Sequence, residues 1–220
     1  MWDLGFVREL KIFMHNSNLW LLSFLFYLII VLCAPIALSY SVVNLRDLAP
    51  VIMWLTFILA NMQLSSQIFV LDYQNGWYQQ IFIKSEAPSL YFFYKMLATT
   101  LVFSLPVFCL TPLLALSYGL QWSQTIVVCS SMLLAAPAIC FISAIFAALT
   151  VGSHQRAGLL SVLVLPLCLP IYILGVASAH LCLVGASPYP AMALLAAISI
   201  FAMLLAPKLI SLSIRNSFEY

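Results

Sequence analysis

Long apolar runs broken by short polar stretches set the rhythm of this chain. Six of them, at about 18–40, 48–70, 95–118, 124–150, 158–179 and 189–210, approach the roughly 20 helical residues needed to cross about 30 Å of hydrocarbon. Ahead of the first run the pattern changes to a helical stripe. Trp2, Phe6, Val7, Leu10, Phe13 and Met14 share one face of a 3.6-residue wheel, and Arg8, Glu9, Lys11, His15 and Asn16 share the other. Asp3 falls in the apolar sector, at the start, where a cap or first-turn anion is favoured. Residues 1–16 are therefore expected to form an amphipathic helix lying in the membrane interface. They lack the continuous apolar core and small-residue cleavage site of a secretory signal, so none is expected there.

Composition supports the same class. Hydrophobic residues make up 65% of the 220 and charged residues 6%, against roughly a quarter charged in soluble domains. The expected fold is all-α: a polytopic membrane protein with six transmembrane helices in a single transmembrane domain spanning 1–220. The net charge of +2 is too small to point to nucleic acid as a partner; membrane lipid is the expected surroundings. With the N-terminus inside, the inner segments hold Arg8, Lys11, Lys84, Lys95, Arg156, Lys208 and Arg215, and the outer ones only Arg46. That asymmetry predicts both termini in the cytoplasm.

Within the runs, Pro35, Pro50, Pro106, Pro112, Pro137, Pro166 and Pro170 each remove a backbone donor and predict kinks, with the fifth run bent or broken at VLPLCLPIY. Asn61, Gln63, Ser65 and Gln67 form two i,i+4 polar pairs, expected to bond between helices. No acid or base is expected near the bilayer midplane, which disfavours an ion-coupled carrier. The six cysteines never approach CxxC spacing and read as free buried thiols, so no metal site is expected. Sequences for phosphate-binding loops, HExxH and GxSxG are also missing, which gives intrinsic enzymatic chemistry no support and leaves no catalytic residue to name.

The polar island LDYQNGWYQQIFIKSEAP, residues 71–88, stands apart. The topology makes it cytoplasmic, in a connection of about 24 residues. Asp72, Asn75 and Gly76 supply turn and cap chemistry; Trp77, Tyr78, Ile81 and Phe82 then form an aromatic-rich stripe at helical spacing. Gln74, Gln79 and Gln80 add neutral donors and acceptors, and Ser85 to Pro88 ends the element. A loop resting at the headgroups and a docking helix for a cytoplasmic partner fit this pattern equally well, because Trp and Tyr serve both settings.

Two longer blocks carry a resemblance. LAPVIMWLTFILANMQLSSQIFVLDYQNGWYQQIFIKSEAPSLYFFYKMLA and ALTVGSHQRAGLLSVLVLPLCLPIYI are similar to the haem exporter protein B family (CcmB), permeases of the cytochrome c maturation ABC transporter. The likeness extends over most of the chain and implies an ABC type 2 permease-like fold. It implies haem as substrate, exported or delivered across a bacterial cytoplasmic (inner) membrane to a haem chaperone during c-type cytochrome biogenesis. The implied partners are a second copy of the chain, a cytoplasmic ATPase that uses the ATP, a haem-handling membrane subunit and a small single-span subunit. A non-transporting scaffold, coupling the ATPase to release of the loaded chaperone, is the alternative.

Carried onto this sequence, the family's coupling element falls on Asp72, Asn75, Gly76, Gln79 and Gln80, with Gln74, Trp77 and Tyr78 in the same segment. Asn75 and Gln79 stand where the family often has an acid, so contact with the ATPase would rest on neutral hydrogen bonds, each worth about 0.5–1.5 kcal/mol. His154 and Arg156 lie in the second inner connection, Arg156 as topology anchor or ATPase contact. His180, near the outer face, is a candidate iron ligand through imidazole. No CxxCH motif marks the chain as a c-type cytochrome, and no cofactor is expected to reside in it.

Overall fold

A computed structural model of the chain describes residues 17–38, 44–84, 87–151 and 156–217. The expected interfacial helix over 1–16 lies outside them, as do His154, Ser85 and Glu86. Every regular element among the described residues is helical: α1 (Ser17–Leu38), α2 (Leu45–Ile68), α3 (Val70–Gln74), α4 (Trp77–Lys84), α5 (Pro88–Ser117), α6 (Trp122–Leu149), α7 (Arg156–Leu183) and α8 (Tyr189–Asn216). Six of these are long and apolar enough to cross a membrane. Their outer faces carry Ile29, Ile36, Leu105, Leu113, Ile173, Ile200 and Leu204, each more than half exposed. Water would penalise such a surface and hydrocarbon does not, so the chain is a multi-pass membrane protein.

The helices sort by composition. α6 sits at the centre, packed against α2, α5, α7 and α8. Its sequence permits this: Ala136, Cys140, Ala144 and Ala148 recur every fourth residue, and all are buried. Small residues at that spacing let neighbouring backbones approach, which is how helices gain packing energy when the solvent is as apolar as leucine. α8 answers with Ala191, Leu195, Ser199, Ala202 and Ala206, and the Ser199 hydroxyl donates to the Leu134 carbonyl of α6. Where α2 meets α7, the same logic is carried by Gly175. A Cβ there would lie 2.2 Å from the ring of Trp54, which is fully buried.

Beside this contact an aromatic cluster fills the space between α1, α2 and α5. Phe57 meets Tyr27 and Trp54 edge-on at 6.4 Å and stacks on Phe103 at 6.0 Å. The Tyr27 hydroxyl finds Thr111 at 3.0 Å, so burying the ring leaves its polar atom satisfied. At one end of the bundle, Tyr118 donates to the Val31 carbonyl at 2.8 Å and Arg46 Nε to the Gly119 carbonyl at 2.9 Å. At the opposite end, the Tyr73 hydroxyl donates to the Ser217 carbonyl at 3.1 Å. The first set holds the end of α5 to α1 and to the start of α2, and the second holds α3, just past the end of α2, to the end of α8.

Three local expectations meet a different arrangement. α7 runs as one helix through Pro166 and Pro170, so the fifth run is not broken there. Asn61 turns its amide back onto the Phe57 carbonyl of its own helix, 3.1 Å away, instead of bonding to a neighbouring helix. All six cysteines are free, but Cys33 and Cys109 are exposed on the apolar surface and Cys182 is half-buried; Cys129, Cys140 and Cys168 are buried.

Candidate functional site: the anchored polar connector

The polar island is two short helices joined by a tight turn. α2 is capped at Phe69, α3 follows at once, and Gly76 adopts φ +68°, the left-handed conformation that a side chain resists. Its N–H bonds the Tyr73 carbonyl at 3.1 Å, and α4 begins at the next residue. A Cβ on Gly76 would have room, with Gln79 Oε1 its nearest neighbour at 3.7 Å. Backbone conformation, not crowding, is what calls for glycine here.

One side of this connector is rooted in the bundle. Asp72 forms an ion pair with Lys95, two turns into α5, and the Lys95 side chain is only 3% exposed. Tyr78, fully buried, closes over the pair: its hydroxyl donates to Asp72 at 3.4 Å, and its ring lies 5.7 Å from the Lys95 ammonium. That geometry suits a cation on an aromatic face. Around Tyr78 stand Phe92 at 5.5 Å, Phe69 at 6.2 Å and Tyr91 at 6.5 Å, with Phe82 also against Phe92. Buried charge is tolerated because the two charges and the phenol satisfy one another; removing one partner would strand the other.

The other side faces away. Gln74, Asn75, Gln79 and Gln80 are exposed, while Gly76 and Trp77 are half-buried. Ile83, one helical turn beyond Gln79 and Gln80, is 83% exposed. The connector thus presents four neutral amides and one apolar knob, on a base that the bundle holds fast. Such a surface can make directional hydrogen bonds and bury an apolar side chain without cancelling charge.

The residues singled out in the sequence therefore divide by position. Asp72 and Tyr78 belong to the root, and the four amides to the free face. Arg156 opens α7. His180 is exposed in the last turn of α7, at the end of the bundle opposite the connector. Among the described residues no three His, Cys, Asp or Glu side chains gather as a metal site. A 210 Å³ niche opens between α5 and α6 beside Pro137, lined by Leu97, Thr100, Leu101, Ser104, Leu133 and Ala136, none of which is an iron ligand. Lys95 is the residue that sequence reasoning missed. It reads as an interfacial cation, and the only signal of its burial is its place in the aromatic stretch YFFYKM.

Comparison with known proteins covers nearly the whole chain. Residues 2–217 match the family model described as CcmB protein. "Heme exporter protein B" of Bradyrhizobium diazoefficiens is 31% identical over 213 residues, 96% of each chain. The protein of the same name from Haemophilus influenzae is 30% identical over 214 residues, again 96% of each. That from Paracoccus denitrificans is 31% identical over 204 residues, 91% of this chain and 92% of its own. End-to-end similarity at this level, over an all-helical chain with six helices fit to span a membrane, shows that the protein belongs to the CcmB family.

Proposed function

We propose that this chain is the membrane permease subunit of an ABC transporter that exports haem, and that the α3–α4 connector is where its ATPase docks. The observation that carries the docking assignment is the two-sided build of the connector: Asp72 and Tyr78 lock it to Lys95 on α5, while Gln74, Asn75, Gln79 and Gln80 stay exposed. A lever must be stiff where it joins the load and accessible where it is pushed. The ion pair couples the connector to α5, and the Tyr73 bond to the Ser217 carbonyl couples it to the end of α8. Displacement by a closing ATPase dimer would thus reach two spans at once and bias a two-state rearrangement of the bundle. The name "Heme exporter protein B", shared by relatives alike from end to end, supports haem as the substrate. ATP hydrolysis is assigned to the partner.

The wider assembly follows from the family resemblance: a second copy of this chain, a haem-handling membrane subunit, a small single-span subunit and a haem chaperone, in c-type cytochrome biogenesis. The bacterial relatives support an inner-membrane location. The excess of Lys and Arg in alternate connections supports both termini and the α3–α4 connector in the cytoplasm.

Testing the docking role requires substitutions that spare the root. Asn75→Lys together with Gln79→Lys alters only exposed positions. Co-purification of the ATPase with the complex should fall at least about tenfold, as expected for losing two or more neutral hydrogen bonds, while the variant still accumulates in the membrane. Undiminished co-purification and cytochrome c maturation would remove the docking assignment. Loss of the ATPase with haem still reaching the chaperone would favour the scaffold over the transporter.

A further inference from the structure

We propose that a cleft between the start of α5 and the end of α8 is a binding site for the phosphate of an anionic phospholipid. The cleft has a volume of about 250 Å³ and is lined by Lys208, Ser211, Leu212 and Arg215 of α8, with Ser89 of α5 and Phe82 of α4. Residues 208, 211, 212 and 215 follow i, i+3, i+4, i+7 spacing, so both cations and one hydroxyl share a single face of α8. Pro88 and Ser89 open α5 at the opposite wall; proline has no N–H and the Leu90 N–H donates to the Ala87 carbonyl, so Ser89 is the polar residue this wall offers. The site is thus built from two elements far apart in sequence.

Charge balance among the described residues points to an external anion. Neither Lys208 nor Arg215 has an ion-pair partner among them. The acids described are Asp47, at the other end of the bundle, and Asp72, which Lys95 holds. Two cations around a shared cavity repel unless an anion sits between them. Lipid is favoured over a free anion because the cleft opens beside the apolar surface. Leu205, Leu209 and Leu212 lie along α8 at 44%, 47% and 57% exposure, a track for an acyl chain, and Phe82 and Leu212 give the cleft an apolar wall. Basic pockets between helices at a membrane face are suited to acidic headgroups. Such a site is independent of what the protein transports.

The test uses the purified full chain in mild detergent, titrated with phosphatidylglycerol and, separately, with phosphatidylcholine of identical acyl chains, with bound lipid counted by native mass spectrometry. Wild type is expected to retain phosphatidylglycerol in preference. Lys208→Gln with Arg215→Gln should weaken that retention roughly tenfold or more, and Lys208→Arg with Arg215→Lys should preserve it. If the double neutral variant does not purify, each single neutral variant should still lose about threefold. Equal retention of the two lipids, or unchanged phosphatidylglycerol binding in the neutral variants, would overturn the proposal. Displacement of phosphatidylglycerol by inorganic phosphate at equal concentration would overturn it in favour of a free-anion site.

Discussion

At the scale of single residues, the least expected feature is a lysine used as structure. Lys95 and Asp72 are 23 residues apart, and no sequence pattern pairs them; the cation serves topology whether it meets water or a carboxylate. Packing decides, because Tyr78, itself packed on Phe69 and Phe92, lies over the Lys95 ammonium and leaves that side chain only 3% exposed. Lys95→Met or Asp72→Ala should each lower stability by about 3–5 kcal/mol, the usual cost of stranding one buried charge. Combining Lys95→Met with Asp72→Asn should recover much of the loss. Thermal unfolding of the purified variants in detergent provides the measure, and additive losses in the double variant would contradict a coupled pair. Gly175 offers a second test at this scale. Gly175→Ala should cost about 1–3 kcal/mol by forcing the Trp54 ring aside, and Trp54→Phe should relieve part of that cost, because the ring is smaller. The Trp54 indole nitrogen has no hydrogen-bond partner among the described residues, so Phe sacrifices little.

At the scale of elements, the connector shows which local signals read through from sequence and which do not. Asn75-Gly76 predicts a turn, and Gly76 makes one in the left-handed region, since this is chain-local chemistry. The aromatic stripe predicts a short helix, and α4 supplies it. Which face turns inward was not legible: Asp72, expected at a turn or cap, goes to Lys95 because a partner from another span outweighs a local turn. The prolines were legible only in part. Pro166 and Pro170 predict a bend or a break, and α7, packed against its neighbours, runs through both without a break. In α6 the small residue at every fourth position is plain in the sequence, but its role at the centre depends on the neighbours. Ala144→Leu, on the buried face, should wedge α6 from the helices packed on it and reduce the yield of folded protein in detergent. Leu133→Ala, on the exposed face, is the control and should have little effect.

At the scale of the whole molecule, the six spans were legible because hydrocarbon thickness sets their length and any polar interruption shows. Their arrangement was not, since an apolar run does not say which neighbour it meets. α1, the least buried span, is the most hydrophobic of the six, and α2, the most buried, is the least. At these two extremes the most apolar span is the one that faces lipid, but α6 is both strongly hydrophobic and well buried, so hydrophobicity alone does not rank the spans by position. The two-sided connector matters at this scale because it joins three spans: α2 by covalent continuity, α5 through Lys95 and α8 through Ser217. Neutral amides on its free face also predict an ATPase contact that weakens little with salt, since screening acts on charges. Asn75→Asp with Gln79→Glu should make the same contact markedly salt-sensitive.

The most direct measurement is ATPase co-purification with the membrane complex across salt concentration, for wild type and for Asn75→Lys with Gln79→Lys. Docking through the connector predicts wild-type retention nearly flat from low to high salt and at least about tenfold lower retention in the variant. Equal retention in the two proteins would contradict it.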